Sequence, residues 1–330
     1  MSAAKLFVSN SMLRSNSLGS FLRGYATKVD IKALKRLREL NPVSMTKAKE
    51  ALLSTDNNID QALQWLEDDA MKSGAKKAEK VKDRVATEGA IAIHVNDALT
   101  AASIIELGCE TDFVARNSTF VDLASAIAQS GVDFANSAVL ANVEISELGK
   151  KMLADRTVAD TVTETIGRLG ENIVLRRAAA VGSEDNVVVS GYVHSAIAGT
   201  NGASAGKIGG IVVIKSDSLS KDNHRATLSQ LARRLAQQVV GYAPRYTTVA
   251  EWESAKAAGT ENSEDLPEVS VLEAQQFLFG GGTISEVLEK VSKGVGSPVE
   301  ITSFVRFERG EGVEKAVKPD FAEEVRQQLA

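Results

Sequence analysis

Two stretches of the chain repeat one plan, and this repetition narrows the fold more than any other feature. Ala90-Ile91-Ala92-Ile93-His94-Val95 and Ala102-Ser103-Ile104-Ile105-Glu106-Leu107 read as strands joined by a turn at Asn96-Asp97. After a loop, Phe120, Leu123, Ala124 and Ile127 fall at i, i+3, i+4 and i+7, one face of a helix. Residues 190–241 follow suit: Gly191-Tyr192-Val193-His194 forms a strand, a glycine-rich loop intervenes, and Gly210-Ile211-Val212-Val213-Ile214 forms the other. Leu228, Leu231, Ala232, Leu235 and Val239 then mark a helix. A hairpin followed by a helix, twice over, predicts an α+β fold with two related core subdomains and antiparallel sheets. The subdomains are expected at 89–182 and 183–309, with a tail at 310–330. Between the repeats, 144–168 reads as helical and 171–182 as a returning strand. Later, 243–268 is polar and irregular, Val269–Phe279 and Ile301–Phe307 read as strands, and Asp320–Leu329 reads as a short helix capped by Asp320.

Ahead of this core, residues 26–67 predict a three-helix unit. Ile31, Leu34 and Leu37 share a face, Asn41-Pro42 makes a turn, and Ser44 caps a helix carrying Met45, Ala48 and Leu52. Asn58 and Gln61 have capping-box spacing, and Ile59, Ala62, Leu63 and Leu66 form the stripe of a third helix. Residues 68–88 continue as a lysine-rich helical linker whose charges make a solvated face.

The first 29 residues differ in kind. Lys5, Arg14, Arg23 and Lys28 stand among six serines with no acid before Asp30, the composition of a mitochondrial transit peptide. Residues 1–25 are therefore expected to be a leader to the matrix, cleaved near Tyr25/Ala26 after Arg23-Gly24. Its removal takes away three of the 38 basic residues against 43 acidic ones and moves the net charge from −5 to −8. So acidic a chain is ill suited to general nucleic-acid binding.

Catalytic and metal chemistry finds little to work with. Cys109 is the single cysteine, and His94, His194 and His224 share no ligand spacing, so neither a disulfide nor a metal site is expected. A phosphate loop needs glycine five positions before Gly206-Lys207 and a hydroxyl after it; Asn201 and Ile208 stand there instead. The glycines read as a long hairpin loop, and Gly280-Gly281-Gly282 as a turn. Cys109 reads as a small buried hydrophobe, with a nucleophilic role as the alternative. No acid–base–nucleophile constellation emerges, and no enzyme activity, cofactor or stable small-molecule ligand is expected. No run of 18 apolar residues occurs, so no membrane span is expected either.

Four ordered segments carry a resemblance. Cys109-Glu110-Thr111-Asp112-Phe113-Val114-Ala115-Arg116-Asn117 resembles the signature of the elongation factor Ts family. Residues 34–52 with Asn58-Ile59-Asp60-Gln61-Ala62 look like its first signature, and Leu169-Gly170-Glu171-Asn172-Ile173 with Arg176-Arg177 like a third motif. Phe304-Val305-Arg306-Phe307-Glu308 and Gly310-Glu311-Gly312-Val313-Glu314-Lys315 look like its C-terminal strand and tail. The chain is identified as a mitochondrial, fungal-type member.

The resemblance implies a nucleotide exchange factor that drives GDP from mitochondrial elongation factor Tu, its GTPase partner. The three-helix unit, similar to a ubiquitin-associated bundle, would dock on the nucleotide domain. Asp112 and Phe113 would enter beside the Mg²⁺ site, Leu169 and Gly170 would make a second contact, and His194 would touch the partner's other domains. On the residues alone, Phe113 reads as a hydrophobic staple and Asp112 as a helix cap rather than as contacts, Gly170 as a C-cap, and Glu171, Arg176 and Arg177 as fold-holding or exposed charges. Two departures stand out. Asn41-Pro42-Val43-Ser44 replaces a Thr-Gly-Ala-Gly turn, and 243–268 is too broken for the coiled-coil hairpin of bacterial members. An adaptor that binds partners through its helical unit, without exchange activity, is the alternative reading.

Overall fold

The structure, a computed structural model, describes residues 28–41, 43–136, 140–182, 186–198, 204–220, 222–259 and 266–313. The expected leader and cleavage site, Pro42, the centre of the glycine-rich loop and the expected Asp320–Leu329 helix lie outside the described residues. The chain divides into two units between Leu66 and Glu67.

The first unit holds α1 (Ile31–Leu40), α2 (Met45–Ser54) and the start of α3 (Ile59–Val81). Asp30 and Ser44 cap α1 and α2, and Asn58 Oδ1 accepts the Gln61 amide at 3.0 Å. Leu37, Ala48, Ala51, Leu52 and Ala62 are wholly buried. Ile31 and Met45 are not in this core: they are 80% and 46% exposed. Ala33, Leu34 and Leu37 make the inward face of α1, and Ile31, in its first turn, lies outside that arc. The third helix runs on into the expected linker only as far as Val81, with Gly74 the one weak helix former on the way; the expected helical linker to residue 88 stops short, and Glu88 already opens a strand.

The second unit follows in the order β1 (Glu88–Val95), β2 (Ala101–Cys109), α4 (Asp112–Ala115), α5 (Ser118–Gly131), β3 (Ala141–Asn142) and α6 (Ile145–Lys150). Then come β4 (Met152–Leu153), β5 (Arg156–Thr157), α7 (Val158–Leu169), β6 (Val174–Gly182), β7 (Val187–His194), β8 (Ile197–Ala198), β9 (Ser204–Gly206) and β10 (Ile208–Lys215). The last elements among the described residues are α8 (Asp222–Tyr242), α9 (Val249–Ala257), α10 (Pro267–Ser270), α11 (Ile284–Val295) and β11 (Glu300–Glu308).

The strands form a six-stranded sheet, β3-β6-β2-β1-β9-β8, and a three-stranded sheet, β11-β10-β7, besides the small hairpin β4-β5. Every strand pair within them is antiparallel, so the α+β class with two hairpin-plus-helix units holds.

Side-chain alternation makes the sheets sandwich partners. Ile91 and Ile93 of β1 and Ala102 and Ile104 of β2 meet Val187, Val189, Ile211 and Val213 of the smaller sheet. The opposite face of the large sheet, with Ala90, Ala92, Ile105 and Leu107, packs on α5 and α7. Val188, Val212 and Ile214 on the small sheet's outer face pack on α8 and α11. The result is four layers: helices, sheet, sheet, helices.

Three expectations change. Val269–Phe279 is not a strand. Pro267 opens a helical turn, Val271 and Leu272 are buried in succession rather than alternately, and the segment makes only isolated bridges, Tyr246–Val271 and Gln276–Thr283. Residues 144–168 are two helices separated by the β4-β5 hairpin, which turns at Ala154 with φ +59°. The polar stretch 243–268 contains α9, whose Thr248 and Glu251 form a capping box, and Trp252 anchors it in the interior. The same Thr-x-x-Glu signal, Thr283 and Glu286, starts α11, which the apolar pattern did not reveal.

The glycine-rich loop also has structure at both ends. β8 and β9 leave the second repeat and extend the sheet of the first, with Ile91–Ile93 facing Ser204–Gly206.

Candidate functional site

β2 ends at Cys109, and the chain turns a corner before α5. Thr111 caps α4, its hydroxyl accepting the Val114 amide at 3.4 Å. A helix of four residues cannot hold itself together and depends on its surroundings. Ala115 is buried and Val114 packs against the helix-side core, which turns Phe113 the other way. Phe113 is 84% exposed. It is therefore no staple. Nor does Asp112 cap the following helix, because Asn117 does so, accepting the Thr119 amide at 2.9 Å. The Asp112 carboxylate pairs with Arg116 at 3.1 Å and remains half-exposed.

Cys109, directly beneath this corner, is inert. Burial, reinforced by the Glu171 carboxylate, pushes its thiol up to about 12, and Sγ donates to the Thr111 carbonyl at 3.2 Å. No thiolate is available near neutral pH.

Leu169 and Gly170 end α7. Gly170 takes the left-handed conformation, φ +79°, its amide donating to the Ile166 carbonyl at 2.8 Å, with open space around it. Leu169 is half-buried against the helix-side core. The helix is held down from α3: Lys77 Nζ donates to the Gly167 carbonyl at 2.5 Å. At this crossing a Cβ on Gly167 would stand 2.8 Å from the Ala70 carbonyl oxygen and 3.0 Å from Gly74 Cα, so only glycine lets the helices approach.

The two motifs meet. Glu171 accepts the Thr111 amide at 3.0 Å and the Thr111 hydroxyl at 2.5 Å. In return, Glu110 accepts the Asn172 amide at 2.7 Å. Asn172, 5% exposed, donates through Nδ2 to the carbonyls of Arg84 at 2.7 Å and Lys82 at 3.3 Å, and Arg84 pairs with Glu110 at 3.5 Å. A reciprocal brace thus ties the corner that bears Asp112 and Phe113 to the helix end that bears Leu169 and Gly170.

His194 is exposed at the end of β7, where its carbonyl accepts the Lys207 amide at 3.2 Å. Its neighbour Ser195 lines a cavity of about 280 Å³ together with Ala115, Arg116, Lys207 and Arg309. The strand end carrying His194 therefore abuts the foot of α4.

Arg176 and Arg177 belong elsewhere. Both bind the buried Glu106, which also accepts the Gly310 amide at 2.8 Å. The Arg177 guanidinium stacks 4.1 Å from the Phe307 ring centre. This cluster fastens the end of β11 to the large sheet. Glu110 and Asn172, by contrast, stand within the motifs with no role expected of them. Each stands beside an expected contact pair, yet a hydrogen bond spanning 62 residues leaves no local pattern to read.

Comparison with known proteins agrees with the motifs. Residues 110–264 match a family model described as Elongation factor TS. The Elongation factor Ts of Rhodospirillum rubrum is 35% identical over an alignment covering 90% of this chain and 97% of that protein. The Elongation factor Ts of Clostridium perfringens strain SM101 is 33% identical, covering 90% and 98% respectively. That of Clostridium botulinum strain 657 is 32% identical, covering 91% and 98%. Near-complete alignment at this identity, with the signature corner inside the matched region, makes the chain a member of the elongation factor Ts family.

Proposed function

We propose that this protein is the nucleotide exchange factor of mitochondrial elongation factor Tu, and that Asp112 and Phe113 act at the partner's Mg²⁺ and phosphate site. The observation carrying this reading is Phe113, 84% exposed on a corner whose backbone is otherwise tied down. A Phe side chain left in water forgoes about 1.5–3 kcal/mol of burial, and a partner that covers it recovers that energy. Held out beside a carboxylate, the ring is shaped to enter another protein.

A GTPase holds GDP through backbone amides and lysine on the phosphates and through a Mg²⁺ ion with oxygen ligands. Wedging an aromatic beside that site separates the elements that carry these groups, and the Asp112 carboxylate opposes the phosphates by charge. Linkage makes the effect mutual: nucleotide weakens the factor as much as the factor weakens nucleotide. A 10⁴-fold loss of affinity requires about 5.5 kcal/mol of differential binding, more than one side chain supplies. Leu169, Gly170 and His194 supply further contacts, and the helical unit adds a docking surface that includes Ile31, 80% exposed, and Met45 and Leu53, both nearly half-exposed. The buried, protonated Cys109 thiol speaks against a nucleophilic role for that residue.

Release of fluorescent GDP from mitochondrial elongation factor Tu tests the reading. The protein lacking residues 1–25 should accelerate release strongly, and Phe113→Ala should remove at least about tenfold of that acceleration, or 1.4 kcal/mol. Unchanged release at saturating protein would refute it. The leader composition of residues 1–25 supports action in the mitochondrial matrix. Import and trimming of the full chain by isolated mitochondria would bear this out, and full-length protein left outside would exclude it.

A further inference from the structure

We infer that Glu110, Glu171 and Asn172 are positioning residues, which preset Phe113 and the Leu169–Gly170 helix end as one rigid body. This rests on the function proposed above and adds to it the means by which the wedge is held.

α4 is a single turn with one hydroxyl cap, so its own hydrogen bonds cannot keep Phe113 in place. Its first free amide, on Thr111, and the capping hydroxyl of the same residue both donate to Glu171, 60 residues away. Where α7 ends, the amide of Asn172 donates to Glu110, one residue before Thr111. Each segment thus supplies a carboxylate to the other's backbone, and two crossed links resist rotation as one could not. Asn172 then anchors the pair to the carbonyls of Lys82 and Arg84, just past the end of α3. Hydrogen bonds to a charged acceptor are the stronger kind. Glu110 and Glu171 are partly buried and their bonds are complete in the free protein, so their work is done before any partner arrives. A wedge that is already rigid loses less conformational freedom on entering its partner, and more of the binding energy is left to displace nucleotide.

The test has two arms. In the free full-length protein, hydrogen–deuterium exchange of the amides in 111–117 should rise at least tenfold in Glu171→Ala, with α5 still protected and far-ultraviolet circular dichroism unchanged. Glu171→Gln, which keeps one acceptor, should fall between. In titrations of GDP release from elongation factor Tu, Glu171→Ala should lower the maximal rate at least tenfold while shifting half-saturation less than threefold. Combined with Phe113→Ala it should add less than threefold further loss, because the brace acts through that ring. Unaltered exchange of 111–117 overturns the brace whatever the partner does. Losses that multiply in the double variant, or a half-saturation shift matching the rate loss, also overturn it. If the wild-type protein releases no GDP while 111–117 loosens as expected, the brace stands as architecture and its role in exchange falls with the functional reading.

Discussion

In the first hairpin-plus-helix unit, the corner from β2 to α5 runs through Glu110–Asn117, carries α4 and leaves Phe113 84% exposed. The matching corner of the second unit, from β10 to α8, is a tight 3₁₀ turn at Asp217–Ser220 that buries Leu219 to 3%. The hairpins differ in the opposite sense. Asn96 closes the first tightly, accepting the Thr100 and Ala101 amides at 2.9 and 3.0 Å. The second opens into the segment that lends β8 and β9 to the neighbouring sheet. One plan, used twice, is elaborated at opposite ends: once outward, with Phe113 left in solvent, and once inward, to join the two sheets. Strand and helix cores tolerate little variation because their packing is dense, whereas connections can lengthen at small cost.

The link between the units gives the largest expected effect. Glu106 is 1% exposed and binds Arg176, Arg177 and the Gly310 amide. Glu106→Ala leaves two arginines without their shared anion and should cost about 3–5 kcal/mol, read as a lower urea midpoint. Next come the two corners themselves. Leu219→Ala should destabilise by about 2–5 kcal/mol and leave GDP release intact once the protein is folded. Phe113→Ala should stay within about 0.5 kcal/mol of wild type in stability while losing exchange. If the two variants behave alike in either assay, the contrast between the corners is wrong.

The helix ends sharpen it further. Gly170 and Gly296 both take left-handed φ, +79° and +71°, with open space around them. Alanine at either should cost about 1–2 kcal/mol in thermal unfolding, but only Gly170→Ala should loosen the Thr111 amide in hydrogen exchange, since only its helix end is braced to the corner.

The smallest effect concerns His94 in the first hairpin, where burial, partly opposed by Asp97, lowers the imidazole from its ordinary value of 6.5. A lowered value means that the unfolded chain takes up the proton more readily. Stability from this group is therefore full above pH 6.5 and declines as pH falls toward the lowered value. His94→Gln should flatten that slope in melting temperature, while leaving the slopes from carboxylates at lower pH.

Much of this molecule was legible locally. The β-rich runs Ala90–Val95 and Ala102–Leu107 on either side of the Asn96-Asp97 turn located β1 and β2, although both faces of these strands are covered, and the spacing of Phe120 to Ile127 located α5, because an amphipathic helix imposes its period on the sequence. Where a turn or cap signal outweighs the apolar pattern, the structure departs from the expectation: Val271 and Leu272 lie in a turn, and α9 and α11 begin at capping boxes amid polar residues. Phe113 and Gly170 were named by their motifs, although the residues alone favoured a staple at Phe113.

What the chain determines by itself is therefore the element types, the repeated plan and the motifs that mark its family, all of which are written within a few helical turns or strand lengths. Which way Phe113 points, which carboxylate meets which amide across some 60 residues, and which sheet receives β8 and β9 were settled only by the fold. Those outcomes depend on distances between segments remote in sequence, and such distances exist only once the four layers have packed.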